Sequence, residues 1–351
     1  MGVLMGGQSP LMPKNGHFKA EGLNIGWVGK IRNNRNLGII GQGIELLEIL
    51  LKILSLMKFP TSLIFLIVSL FFYFLQTDFS LFFLSVHKLM IIFIVASSLS
   101  ISGLILQNLL KNPLVEPYIL GISSISALGY VLSIILNLNV ILSNLLMLIF
   151  VFICFFIIIL NYDNSFKLVL MGIAINILSS SLINFLMAIS KQDIFKTIFI
   201  LWGNVDRILR NSEIIFLYFC FVFVIIIIFW LFLNHEKLLL LSLSDEEALS
   251  FGFDIRRYKK IFLIISFLLT SISVYFAGII GFIGLIVPHI SKMLNGDNYG
   301  FVIVDSIGFS VSFIVFSFLI FKFLNLSLPI GIITSIIGTP FFIVILLKYF
   351  R

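Results

Sequence analysis

Residues 235–260 read HEKLLLLSLSDEEALSFGFDIRRYKK, a polar island in a chain whose remainder after Phe59 consists of apolar segments with short polar breaks. Ser244 stands before three carboxylates, Asp245, Glu246 and Glu247, in the pattern typical of a helix start. A serine oxygen can accept from the first free backbone N–H groups, and carboxylates are favoured at the positive end of a helix. Gly252 then predicts the end of a short helix.

The second half of the island is basic, at Arg256, Arg257, Lys259 and Lys260, just before the next apolar run. Its apolar side chains near the short helix are Leu249, Phe251 and Phe253. A short helix with both kinds of side chain, held at a membrane surface beside a positive cluster, is typical of a docking element. The alternative is a solvated loop whose carboxylates serve only solubility.

The composition predicts a polytopic membrane protein. Of 351 residues, 60% are hydrophobic and 11% are charged, whereas soluble domains have about 45–50% apolar and about 25% charged residues. The net charge of +7 is spread over many breaks, which favours membrane topology and lipid contact over nucleic-acid binding. Cys154 and Cys220 both lie in apolar runs, so we expect neither a disulfide nor a metal site.

Residues 1–56 differ from the rest and are interpreted as an N-terminal extension to a transmembrane unit at 57–351. They contain Gly-rich and basic stretches, lack the apolar core of a cleavable signal peptide over 1–36, and end in a modest amphipathic pattern at 44–56. One interpretation is a cytoplasmic or interfacial helix that lies on the membrane. We favour the other interpretation, a dispensable extension before Met57.

The apolar segments predict an all-α fold of about ten transmembrane helices, since a span needs roughly 17–25 mainly apolar residues. The predicted spans are 60–77, 87–107, 117–136, 140–160, 166–189, 213–234, 260–280, 282–294, 301–324 and 328–348. With the N-terminus inside, the inner breaks hold 11 Lys and Arg residues and the outer breaks 6. This asymmetry places the polar island and both termini in the cytoplasm.

The stretch 103–129 combines amides, prolines and small residues. Gln107 and Asn108 end an apolar span, where amides need partners. Asn112-Pro113 predicts a turn, and Glu116-Pro117 a helix start. The small residues at 123–129 permit close approach of a neighbouring helix.

A further segment, residues 278–289, predicts close helix contacts. Gly278, Gly281 and Gly284 recur every three residues and predict a groove on one helix face, which Pro288 then breaks or kinks. His289 stands alone, so we favour a capping or interfacial role over metal ligation.

Asn176, Ser180 and Asn184 follow at four-residue spacing along one stripe of a span. A pathway lining and a hydrogen-bonded helix seam are equally open interpretations of this stripe.

Four stretches carry a resemblance to a known family. NPLVEPYILGISS, SLSDEEALSFGFDIRR, GIIGFIGLIVPHISKML and LPIGIITSIIGTPFF occur in the order and spacing of the signature segments of the FecCD family. This family comprises membrane permeases of ABC importers for iron–siderophore, haem and cobalamin complexes. The similarity runs from roughly Phe59 to Arg351 and leaves 1–56 outside it.

The resemblance implies a ten-span subunit that pairs with a second permease copy, a homodimer, around a central pathway. It also implies a cytoplasmic ABC ATPase dimer and an extracytoplasmic substrate-binding protein as partners. The island would then be the loop that fits into the ATPase. The chain has no GxxxxGK[ST] phosphate loop, so we expect ATP to be used by the partner subunit and no cofactor to bind this chain.

The chain departs from the family at the expected outer docking positions. The usual R-x-x-R reads Ser85-Val86-His87-Lys88, and the acidic residue before the last Leu-Pro is Ser327. The remaining candidates for docking of the binding protein are Lys88, Lys191, Lys196, Arg207 and Arg210. Their positive charge would attract an acidic partner.

Two other classes compete with this interpretation. A secondary transporter driven by an ion gradient normally carries ionisable residues near mid-membrane, whereas the predicted spans hold almost no carboxylates. An intramembrane enzyme would need a motif such as HExxH or paired aspartates, and neither is present.

Overall fold

The computed structural model describes residues 61–75, 82–159, 165–190, 202–206, 209, 211–324 and 328–349. Regular structure within these residues is helical, with twelve α-helices and one 3-10 turn. In chain order they are α1 Ser62–Leu75, α2 Phe82–Leu109, the 3-10 turn Pro117–Leu120, α3 Ile122–Ile135, α4 Val140–Ile159, α5 Ser165–Ile189, α6 Asn211–Leu233, α7 His235–Leu240, α8 Asp245–Ser250, α9 Ile255–Ala277, α10 Ile283–Asn295, α11 Tyr299–Leu324 and α12 Ile330–Tyr349.

The all-α prediction is confirmed. Within the described residues, α2, α5, α6, α9 and α11 are long and apolar enough to cross a membrane, and α1, α3, α4 and α12 contain shorter apolar helices. Helix α10 has only 13 residues. The total of ten spans stays a prediction.

Helix α2 lies at the centre of the packing. In an apolar stretch of 18 residues in α2, 83% of the residues are buried, whereas 22% are buried in the corresponding stretches of α5 and of α6. It packs against α9, α10 and α11. The Ser102 hydroxyl lies 2.6 Å from the Ser266 hydroxyl and 2.7 Å from the Thr270 hydroxyl, both on α9. Small residues with short hydroxyl contacts let these helices approach closely, as in membrane helix pairs generally.

A close helix crossing joins α2 to α10. A Cβ added at Gly103 would overlap the backbone carbonyl of Gly284, and a Cβ at Gly284 would lie 2.8 Å from the Leu99 carbonyl and 2.5 Å from the Pro117 ring. Such distances leave room for glycine alone. The predicted close contact at Gly284 is therefore confirmed.

The predicted groove of three glycines on one helix face is wrong. Gly278 ends α9 with φ of 71°, and Gly281 lies in the non-helical break before α10. Only Gly284 is inside a helix. The three-residue recurrence was interpreted as helical spacing, but the chain leaves the helix at Gly278 and re-enters it at Ile283. Helix α10 continues through Pro288.

Three predicted span boundaries also differ from the structure. Helix α2 begins at Phe82 rather than at 87, so Ser85 to Lys88 lie inside it. The span predicted at 117–136 is a 3-10 turn and α3, separated by Gly121 with φ of 78°. Helix α9 begins at Ile255 rather than at 260, because Asp254 caps it by accepting from the Arg257 backbone N–H.

Asp305 is fully buried in α11 and holds the start of α1. Its oxygens accept from the Ser62 backbone N–H at 3.1 Å and from the Asn295 amide at 2.7 Å. A carboxylate at the first N–H groups of a helix is favoured by the helix dipole. This residue therefore has a structural role.

We predict that Gly103→Ala lowers the thermal stability of the protein in detergent. A methyl group there would overlap backbone atoms of α10, and forced overpacking costs about 1–3 kcal/mol. Gly300→Ala is the matched control, because a Cβ at this helical glycine meets its nearest atom at 3.5 Å. Equal unfolding temperatures for the two variants, measured by thermal scanning, would contradict the close crossing.

Candidate functional site

The predicted short helix of the polar island is present as α8. The Ser244 side chain accepts from the Glu247 N–H at 3.2 Å, and the Glu247 carboxylate accepts from the Ser244 N–H at 3.0 Å. This reciprocal pair is a capping box. The hydrogen bond from the Ser244 backbone lowers the pKa of Glu247. Gly252, with φ of 71°, follows the helix as predicted.

Two large apolar side chains of α8 and its end point away from the protein. Leu249 is 63% exposed and Phe251 is 71% exposed, whereas Ala248 on the opposite side is buried. Phe253 does not belong to this surface: it is 7% exposed and stacks on Tyr258, with ring centroids 4.7 Å apart. The hypothesis that Phe253 supplies partner contact is therefore wrong, since the chain turns inward after Gly252.

Asp245, the first residue of α8, bridges two lysines from different elements. Its Oδ1 lies 2.6 Å from Lys111 Nζ, and its Oδ2 lies 3.2 Å from Lys259 Nζ. The hydrogen bond from Lys111, followed by that from Lys259, lowers the pKa of Asp245. A depressed carboxyl pKa means that the ion pairs are intact at neutral pH and are lost as pH falls through that lowered pKa.

The other charged residues predicted for this site are exposed. Glu246 lies in the first turn of α8, and Arg256 and Arg257 lie in the first turn of α9. The exposed surface around α8 thus offers an apolar pair flanked by carboxylates and guanidinium groups.

A second contact joins the island to α2 through Asn108, which is buried. Its Nδ2 donates to the carbonyl of Leu238 in α7 at 3.0 Å. Its Oδ1 accepts from Lys292 Nζ at 2.6 Å and from the Tyr299 hydroxyl at 3.1 Å. Four helices, α2, α7, α10 and α11, meet at this one amide.

Gln107, the other predicted amide, compensates for a proline. Pro288 has no N–H, so the carbonyl of Gly284, four residues earlier, lacks its helical donor. Gln107 Nε2 donates to that carbonyl at 3.3 Å and to the Leu285 carbonyl at 3.0 Å. Gln107 and Pro288, which the sequence analysis singles out for separate reasons, thus both affect the hydrogen bonding of α10.

Residues 107–121 comprise the end of α2, a turn and the 3-10 turn before α3, and are called here the α2–α3 hairpin. Asn112 caps its turn by accepting from the Leu114 N–H at 2.9 Å, next to the half-buried Pro113. At its far end, Glu116 Oε1 accepts from the Phe282 N–H and the Tyr118 hydroxyl accepts from the Ile280 N–H. The hairpin therefore supplies the acceptors that the break between α9 and α10 needs.

The polar residues of the α5 stripe lie in two different environments, a helix seam and an exposed face. Asn176 forms a helix seam: its Oδ1 accepts from Ser124 at 2.6 Å and its Nδ2 donates to the Tyr118 carbonyl at 2.9 Å. Ser180 and Asn184 are exposed on the same helix. A pathway lining remains open for these two residues.

On the opposite, predicted outer side, Lys88 forms an ion pair with Asp206 and is only 20% exposed. Part of its charge is thus neutralised within the chain. The other predicted docking residues, Lys191, Lys196, Arg207 and Arg210, lie outside the described residues, as does Ser327.

Within the described part of the chain, no group of three or more His, Cys, Asp and Glu residues could hold a metal ion. Cys154 and Cys220 are buried free thiols.

Sequence reasoning missed several residues that assemble this region. They are Lys111, Glu116, Tyr118, Lys292 and Tyr299. In the sequence, Lys111 is only one of the basic residues counted for the inner breaks, and Glu116 is only the residue before a proline. Their partners lie more than a hundred residues away along the chain, which local patterns do not reveal.

Comparisons with known proteins identify a matching family and similar chains. The profile of the FecCD transport family matches residues 46–348. The chain is 30% identical over 270 residues to the cobalamin import system permease protein of Halobacterium salinarum, covering 72% of this chain and 69% of the relative. It is 29% identical over 273 residues to a probable iron chelatin transport system permease protein of Helicobacter pylori, covering 74% and 80%.

A solved structure also resembles this chain. It is an inward-facing conformation of a transporter described as of the metal-chelate ABC type, with a TM-score of 0.74 and 26% identity, covering 82% of this chain and 97% of that one.

We predict that Ser244→Ala loosens α8. Loss of an N-cap side chain costs about 1 kcal/mol, so amide exchange over residues 245–250 should become roughly fivefold faster. Hydrogen–deuterium exchange with mass spectrometry measures this rate. Ser250→Ala is the control, since its hydroxyl only donates to the Glu247 carbonyl at the other end. If both variants exchange like the wild type, the capping box does not hold the helix.

Proposed function

The chain belongs to the FecCD transport family, and from this premise we propose that it is the permease subunit of an ABC importer that carries a metal chelate into the cytoplasm. The class of cargo is an iron–siderophore, haem or cobalamin complex. Relatives named for iron chelatin and cobalamin transport support this class. The choice among these complexes is left to experiment.

The exposed apolar pair of α8 carries the proposal. Leu249 and Phe251 are solvated in the isolated chain, and they stand on a helix that is capped and tied by Asp245 to two other elements. An aromatic anchor that fills a pocket is the usual centre of a protein interface. We assign this surface to a cytoplasmic ATPase subunit, which would supply the ATP hydrolysis that this chain has no motif for.

The pathway is assigned to a homodimer of the permease. The exposed Ser180 and Asn184 on α5 give a face of mild polarity, suited to a bulky chelate that must pass without being trapped. Ten spans per subunit would place the protein in a bacterial cytoplasmic membrane with both termini inside. Residues 1–56 are proposed to be dispensable for this unit, although the family profile begins at residue 46.

The outer surface is proposed to dock an extracytoplasmic substrate-binding protein. Lys88 would contribute less than the other basic residues of that row, because Asp206 already pairs with it. Long-range attraction of this kind raises the rate of encounter and fades with salt.

The complete transporter, with ATPase and binding protein in proteoliposomes, provides the test of the proposed function. We expect uptake of a labelled chelate that requires ATP on the ATPase side, with a permease pair found by native mass measurement. An ion gradient without nucleotide should give no uptake. Gradient-driven uptake by the permease alone would overturn the ABC assignment.

The anchor role of Phe251 gives a sharper prediction. Phe251→Ala should reduce ATPase binding and coupled transport strongly, since a buried aromatic anchor contributes about 2 kcal/mol or more. Glu246→Ala on the same helix removes an exposed charge and should matter less, because such contacts contribute about 0–1 kcal/mol. Co-purification of the ATPase and uptake rate are the measurements. Equal losses in the two variants would show that the aromatic ring is not the anchor.

A further inference from the structure

We propose that Asp245 is a positioning residue that joins α8 to the α2–α3 hairpin through Lys111, so that a partner displacing α8 displaces this hairpin with it. The inference rests on the proposed function, in which an ATPase binds α8. It adds a route by which that binding reaches the membrane helices.

The two ion pairs of Asp245 are not equivalent. Lys259 belongs to α9, and only residues 251–254 separate α8 from that helix along the chain. The covalent chain therefore already links α8 to α9. Lys111 lies 134 residues before Asp245. This ion pair therefore connects two segments that are far apart in the sequence.

A neighbouring contact reinforces the same link. The Asn108 side chain, at the end of α2, donates to the carbonyl of Leu238 in α7. The two short helices of the island, α7 and α8, thus each contact the beginning of the hairpin, one through Asn108 and one through Lys111.

The backbone is strained at Lys111 and at Phe282, the two ends of this series of contacts. Lys111 has φ of 49° and Phe282 has φ of 70°, values in the left-handed region that non-glycine residues rarely adopt. Such conformations persist only where the surroundings hold them. The Lys111 side chain is held by Asp245, and the Phe282 N–H is held by Glu116 at the far end of the hairpin.

From the hairpin the contacts continue to α5. The Tyr118 carbonyl accepts from Asn176, and a Cβ added at Gly172 would overlap the Ile119 carbonyl. Because backbone meets backbone here, the hairpin cannot shift without moving against α5. That helix exposes Ser180 and Asn184, the residues we assign to the pathway.

The experiment compares single and double variants of the complete transporter in proteoliposomes. Asp245→Asn removes the charge at nearly constant shape. Lys111→Asn removes the lysine charge but keeps a residue that tolerates the left-handed conformation, and Lys111→Arg keeps the charge. Lys259→Ala removes the other ion pair, and Asp297→Asn removes an exposed carboxylate in the turn between α10 and α11. Chelate uptake and ATP hydrolysis are measured in the same vesicles.

We expect Asp245→Asn and Lys111→Asn each to lower the chelate taken up per ATP hydrolysed by about fivefold, within the usual range of coupling between sites. The double variant should be no worse than Asp245→Asn alone, because Lys111→Asn removes an ion pair that Asp245→Asn has already removed. Lys111→Arg should restore most of the ratio, Lys259→Ala should have a smaller effect, and Asp297→Asn should match the wild type. ATPase co-purification should stay intact throughout.

A second readout follows the hairpin itself. Trapping the nucleotide-bound state should change amide exchange over residues 110–121 in the wild type, and this change should be absent in Asp245→Asn. An unchanged transport ratio in both single variants, or losses that multiply in the double variant, would overturn the inference. Failure of the wild type to take up chelate with ATP would instead overturn the proposed function.

Discussion

The first backbone N–H groups of a helix have no acceptors within that helix, and α10 begins after a non-helical break over residues 278–282. Its approach segment is satisfied from outside the helix, because Tyr118 accepts from Ile280 and Glu116 accepts from Phe282. A buried backbone N–H group that lacks an acceptor costs free energy, so irregular backbone of this kind needs acceptors from neighbouring segments. The α2–α3 hairpin is therefore needed to supply acceptors for the non-helical segment before α10. Gln107 likewise supplies a donor to the carbonyls of Gly284 and Leu285, near the proline inside that helix.

The sequence allows the local features of this arrangement to be predicted, because their partners are close along the chain. Ser244 and Glu247 are three residues apart, and their capping box follows from residue type and spacing alone. Helix type and approximate length follow from apolar runs. Boundaries were less accurate: Asp254 caps α9 earlier than the apolar run suggests, and Gly121 divides a segment that composition shows as continuous.

Features that depend on long-range pairing could not be predicted. Gln107 and Asn108 were recognised as amides in need of partners, yet nothing near them in the chain identifies Leu238, Lys292 or Leu285 as those partners. The recurrence of glycines at 278, 281 and 284 was misleading, because periodicity describes a helix only where the helix is continuous. Phe253 was placed on the wrong surface for a similar reason, since the turn at Gly252 reverses its direction.

The two ends of the hairpin are held with different strength. At the α10 end, the hydrogen bond that Gln107 donates and the two that Glu116 and Tyr118 accept are part-buried or buried, where loss of one partner leaves a costly unpaired group. At the α8 end, Lys111 and Asp245 are 36% and 55% exposed, and an exposed ion pair of this kind contributes about 0–1 kcal/mol. Such a pair adds little to the stability of the fold, and in the coupling proposed above its effect lies in the orientation of α8. The hairpin is accordingly fixed at its α10 end and adjustable at its α8 end, the arrangement that a transmitted displacement needs.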